Sequence, residues 1–190
     1  DSNLGIGYNA GTAITTGNQN VAIGNSSLAT EISGVNNTAI GYYAGAAAVS
    51  DGNVFIGCKA GETITSGGAN MAIGANTLDL ATTESHNTAI GYQSMTADVN
   101  GGEYNVAVGN YTLDALTSGD DNVAMGYQAG TAINSGSKNT CIGKGAGGSL
   151  TTGDENTILG REAQAAAVDS DNSVTLGSSN ISSLRCQVQS

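Results

Sequence analysis

The sequence predicts an all-β protein, a parallel β-solenoid of about 17 residues per coil. Three observations predict it: a short motif that recurs eleven times at nearly constant spacing, the β-branched residues inside that motif, and a glycine content of 29 that excludes long helices.

The motif is Asn-x-x-apolar-Gly. Copies begin at Asn3, Asn20, Asn37, Asn53, Asn70, Asn87, Asn105, Asn122, Asn139 and Asn156, and a degenerate copy, SVTLG, begins at Ser173. The closing glycines run from Gly7 to Gly177, 170 residues over ten intervals, a mean of 17. Eleven copies without a gap leave no room for a separate domain. Residues 1–177 therefore read as one repeat region, and residues 178–190 as a C-terminal extension.

Each position of the motif has its own character. The residue before the Gly is aliphatic or Met throughout, as in Ile6, Ile23, Ile40, Ile56 and Ile73. The residue two places earlier is usually β-branched, as in Val21, Thr38 and Val54. Side chains alternate along a strand, so these two positions share a face. Being the larger, they read as the face that fills the coil. A second apolar residue follows within the next eight: Ile14, Ile32, Val49, Ile64, Leu80, Val99, Leu116, Ile133, Leu150, Val168 and Leu184. Ten residues after the motif Gly a second Gly often stands, as in Gly17, Gly34, Gly67 and Gly119, where a tight turn needs positive φ. Each coil thus reads as strand, turn, short strand, turn. Coils stacked one strand spacing apart, about 4.8 Å, would make a rod about 48 Å long with one narrow core.

The motif-opening asparagine, present in ten copies from Asn3 to Asn156, reads as a ladder of side-chain amides bonded from coil to coil. Its alternative is simple tolerance of turn conformations. The motif centre holds Ala22, Ala39, Ala72, Ala89, Ala107 and Ala124, with Phe55 and Cys141 in the same row. It lies opposite the Ile row, and a strand that is apolar on both faces is normally covered on both. The Ala row is therefore expected to meet another chain. Its alternative is an exposed Ala stripe.

Tyr8, Tyr42, Tyr43, Tyr92, Tyr111 and Tyr127 follow motif glycines. They read as turn packing with a wet hydroxyl, ahead of a platform for sugar rings. Cys58, Cys141 and Cys186 occupy three different repeat positions. There is no CxxC pair and His86 is the single histidine, so no metal site is expected.

The net charge is −11, with only five basic residues: Lys59, Lys138, Lys144, Arg161 and Arg185. Such a surface repels nucleic acid, so none is expected as a partner. No apolar run is long enough to cross a bilayer, and no membrane insertion is expected. The chain starts at Asp1 and not Met, so it reads as a fragment or a processed product. The acidic residues do not repeat at one position, unlike those of calcium-binding solenoids. No nucleophile or acid–base pair can be assembled, so neither an enzyme nor a cofactor is expected.

The NTAIG-type motif followed by a small-residue turn resembles the head repeats of trimeric autotransporter adhesins and, still more, the repeat shafts of bacteriophage tail fibres. The resemblance covers residues 3–177. It implies a left-handed β-roll and a side-by-side homotrimer. The adhesin repeat is commonly shorter than 17 residues, so turn shapes must differ. The segment NSVTLGSSNISSLRCQVQS resembles the junction before an endosialidase-type intramolecular chaperone, a family in which the chaperone cuts itself off after a Ser. That likeness implies a matured fibre ending at Ser190. The expected function is a structural segment of a phage tail fibre or spike, extracellular on the virion, contributing to attachment to a host glycan or protein receptor. A bacterial surface adhesin head is the first rival. An ice-binding solenoid is a more distant one: Thr15, Thr65, Thr82, Thr117 and Thr151 recur in one row, but Ile32, Val49, Val99 and Val168 interrupt it.

Overall fold

The computed structural model describes residues 2–97, 101–181 and 183. Val99, Leu184, Arg185, Cys186 and the chain end at Ser190 lie outside the described residues, and so do the expectations placed on them.

Eleven strands of three residues form one parallel sheet in chain order: β1 (Leu4–Ile6), β2 (Val21–Ile23), β3 (Thr38–Ile40), β4 (Val54–Ile56), β5 (Met71–Ile73), β6 (Thr88–Ile90), β7 (Val106–Val108), β8 (Val123–Met125), β9 (Thr140–Ile142), β10 (Thr157–Leu159) and β11 (Val174–Leu176). The register puts like on like: Ala22 opposite Ala39, Ile23 opposite Ile40, Ala89 opposite Ala107. The fold is a parallel β-solenoid of about ten turns. No helix occurs among the described residues.

Positions within a coil are counted from its motif Gly. That Gly is fixed by backbone geometry. Gly57 has φ +136°, a region open to Gly alone, and a Cβ there would run into the carbonyl of Gly74 in the next coil. Position +2 is left-handed in coil after coil, at Asn9, Ser26, Tyr43, Lys59, Asn76, Gln93, Tyr111, Gln128 and Glu162. The residue before each motif start is left-handed too, from Gln19 to Asn172. Among the described residues each coil forms one strand only: the short second strand expected from the sequence is replaced by turns and bends that carry the chain back across the core.

The core corrects the expectation about the motif face. Ala22, Ala39, Ala72, Ala89, Ala107 and Ala124 are at most 1% exposed within the single chain. They point into the coil and cannot meet another chain. The physical reason is the narrow section. Opposite them lies a second buried row of small residues at position +3: Ser27, Ala44, Ala60, Thr77, Ser94, Thr112, Ala129 and Ala146. Two rows of small side chains leave space that position +4 or +7 fills, with Leu28, Ile64, Leu78, Met95, Leu113, Leu116, Ile133 or Leu150, all fully buried. The Ile and Val rows of the motif therefore face outward.

The second apolar row also divides. Residues seven places after the motif Gly, such as Ile64, Leu116, Ile133 and Leu150, are buried. Ile32, Val49 and Val168 stand at the eighth place and Leu80 at the sixth, and all four are exposed. One step of offset from the motif Gly thus decides whether the residue lies inside or outside the coil.

The motif asparagines form a ladder inside one turn. Each Oδ1 accepts the backbone N–H of the next motif-opening residue, as from Asn37 to Asn20 at 2.9 Å and from Asn53 to Asn37 at 2.8 Å. Nδ2 donates to a carbonyl further along the stack, as from Asn122 to Gly136 at 2.8 Å. Direct amide–amide bonds join Asn87, Asn105, Asn122, Asn139 and Asn156. Asn20, Asn37, Asn53, Asn70, Asn87, Asn105, Asn122, Asn139 and Asn156 are buried, while Asn3 on the first coil is exposed. A buried amide is stable only when its donors and acceptors are met, and here the next coil meets them.

Candidate interaction surface

The outward face of the sheet is the most distinctive surface of the molecule. It consists of the first and third residue of every strand. From Leu4 and Ile6 to Val174 and Leu176 these 22 residues are Val, Ile, Leu, Met or Thr, with no charge among them. Each is exposed or half-buried, for example Ile40 at 36% and Met125 at 42%. In a chain of net charge −11 the absence of any carboxylate along the whole row is a physical feature. Continuous apolar stripes of this kind mark contact surfaces.

The charges sit at the corners of the coil. One corner, just before the motif Asn, carries Asp51, Glu103, Asp120, Asp121, Asp154, Glu155 and Asp171. Several of these carboxylates bridge coils: Asp51 accepts the backbone N–H of Val35, Asp120 that of Glu103, and Asp154 that of Ser137. The other corner carries Lys59, Glu62, Asp79, Asp114, Lys144, Arg161 and Glu162. Lys59 pairs there with Glu62 at 2.9 Å. Burial raises the carboxyl pKa of Asp79, whose Oδ1 has no hydrogen-bond partner.

Tyrosines flank the sheet on this second corner. Tyr92, Tyr111 and Tyr127 make edge contacts across successive coils, with centroids 5.5 and 6.0 Å apart. Lys144 Nζ lies 5.8 Å from the centre of the Tyr127 ring. At the first corner His86 stacks on Tyr104 at 4.8 Å. These rings pack on one another as turn residues do, while Tyr92, Tyr104 and Tyr127 remain exposed.

Two glutamates enter the interior. Glu84 has both oxygens engaged, by the backbone N–H groups of Thr82, Thr83 and Gly101 and by the Thr83 hydroxyl. Glu31 differs. Its Oε1 accepts from Ser33 and Gly34, but its Oε2 is buried without a partner. Burial pushes its carboxyl above the ordinary value, against the opposing pull of the Gly34, Ser33 and Ile32 backbone.

Among the described residues no group of three or more His, Cys, Asp or Glu is placed to hold a metal ion. No helix among them is long and apolar enough to cross a membrane. The hydroxyls of Thr15, Thr65, Thr117 and Thr151 donate to carbonyls of the neighbouring coil, at Ile32, Thr82, Asn134 and Val168.

The sequence carried one signal that would have oriented the strand correctly. Phe55 occupies an Ala position, and glycines stand at position +4 both in its own coil (Gly61) and in the coil before (Gly45). A Cβ on either glycine would strike the Phe55 ring. Large residues compensated by glycines belong to a closed interior, so the Ala row faces inward. Compared with protein-family models, curated proteins and solved structures, the chain has no match in any of the three.

Proposed function

We propose that the chain is a structural fibre segment, a rigid solenoid rod that associates side by side with copies of itself. The observation that carries this reading is the charge-free aliphatic outer face of the sheet, which runs without a break over all eleven strands. A net charge of −11 opposes self-association unless the contact is kept clear of carboxylates, and this face is clear. Covering a Val, Ile or Leu fully is worth about 1.5–3 kcal/mol each, and half-buried residues retain about half of that to gain.

The likeness of the motif to tail-fibre shafts supports three chains and a place on a phage fibre or spike, where the rod would present a host-binding surface. Light scattering tests the assembly. The expected mass is about 56 kDa, three chains of 18.7 kDa. Replacing Ile73 and Ile90 together by Asp should return the mass to that of one chain with the β circular-dichroism signal intact. A wild-type chain that runs as a monomer would remove the reading. Reading frames around the segment separate the settings: a following chaperone domain points to a phage fibre, and a coiled-coil stalk with a β-barrel anchor to an adhesin.

A further inference from the structure

A second charge-free face lies away from the sheet, on another wall of the coil, and we infer that it is the surface on which the outer sheet face of a neighbouring copy docks. The face is made by positions +6 and +8, which flank the inward residue at +7. Position +6 holds small or hydroxylated residues, such as Ala47, Thr63 and Ala115, with Leu80 the largest. Position +8 is mostly Thr, as at Thr65, Thr82 and Thr151, interspersed with Ile32, Val49 and Val168. No described residue in either row is charged. Ile32, Val49 and Val168 are 54, 41 and 52% exposed. The row is straight, because the backbone at +8 bonds from coil to coil, as from Thr65 to Thr82 and from Thr151 to Val168, both at 2.7 Å.

This inference rests on the self-association proposed above and adds the partner surface. Three features select a second copy as the occupant. The two faces differ in relief: the sheet face presents Ile, Val, Leu and Met, and the second face mostly Ala and Thr, so bulky side chains meet a shallow bed. Among the described residues neither face carries a charge, and every exposed carboxylate lies off them, at the corners and turns. A cationic partner would be drawn to those corners, and not to either face. Finally, each face is small. Eleven strands of three residues cover a footprint of about 10 by 48 Å, about 960 Å² counted on both partners, so one pairing alone falls below the size of a stable interface. A ring in which every chain uses both faces holds each chain twice. Pairing two different faces is a heterologous contact, and it closes when the rotation per chain suits a small ring.

Cysteine cross-linking tests this. In a Cys58→Ser/Cys186→Ser background, where Cys141 stays buried, Ile40→Cys on the sheet face is combined with Ile32→Cys, Val49→Cys or Thr65→Cys on the second face. The three partners cover alignments one coil down, level and one coil up. Circular dichroism and light scattering confirm folding and assembly of each variant before mild oxidation. The expected result is that one combination yields a single covalent species of three chains on a denaturing gel, while Ile40→Cys alone yields none. Efficient dimers from Ile40→Cys alone would show like faces paired and overturn the inference. So would a ladder of ever longer species, or an assembly of normal mass in which no combination cross-links. A monomeric mass before oxidation would instead sink the self-association reading itself.

Discussion

Two stretches of the solenoid fill the same narrow section in different ways. Around β4 the motif centre is Phe55, and the +4 positions that meet its ring are Gly45 and Gly61. From β5 to β7 the motif centres are Ala72, Ala89 and Ala107, and the +4 positions are Leu78, Met95 and Leu113, all fully buried. Volume removed from one wall of the coil is returned from the other. The core is thus specified by the sum of side-chain volumes in a layer and not by one residue type per row. That freedom carries a backbone cost: Leu78, Met95 and Leu113 hold φ of 49–52°, a conformation that Gly adopts more cheaply.

One of the two costliest substitutions strikes what both stretches share. Gly57→Ala places a Cβ against the Gly74 carbonyl in a region of φ open to Gly, and should cost about 3 kcal/mol or more in chemical denaturation. Of comparable size is the loss of the filling itself. Phe55→Ala should cost about 3–5 kcal/mol by opening a cavity. Adding Gly61→Leu should restore a substantial part, since Leu78 and Leu113 already occupy the equivalent site. If the second change deepens the loss, the exchange of volume between walls is wrong.

A smaller effect separates the two interior glutamates. A folded-state pKa raised above the ordinary 4.5 means that the contribution of Glu31 is fully present below that pH and is lost as pH rises through the folded value. Thermal melts of Glu31→Gln at fixed protein concentration should therefore show a shallower decline from acid to neutral pH than the native chain. An unchanged pH profile would count against an uncompensated carboxyl. The last effect is chemical and leaves stability alone. Burial raises the Cys141 thiol to about 12, whereas Cys58 is exposed. In a Cys186→Ser chain at pH 8, one thiol should react promptly with maleimide and the second only after unfolding.

Much of this fold was legible in the residues. The 17-residue spacing gave the coil, the β-branched motif gave the strand, and the recurrent Asn gave the ladder that now reads bond by bond from Asn3 to Ser173. What the pattern did not reveal was which strand face points inward. Size alone made Ile73 look like core and Ala72 like surface. The interior takes Ala72 because two walls stand close together across the coil, a fact of three-dimensional section that a single row does not carry. The same limit hid the second face. Ile32 and Val49 look equivalent to Ile64, yet one residue of offset from the motif Gly turns them outward. The sheet face and the shallow second face became visible once burial was known row by row.

The stacking of coils can be read as a distance along the rod. Thr65 and Thr151 occupy the same position five coils apart, so spin labels at Thr65→Cys and Thr151→Cys should sit about 24 Å apart at one strand spacing per coil. The chain would carry Cys58→Ser and Cys186→Ser and be diluted with unlabelled protein, so that pairs within one chain dominate the signal. Coils stacked in register predict one narrow distribution at that separation. A broad distribution, or a mean near twice that length, would be incompatible with a solenoid of this pitch.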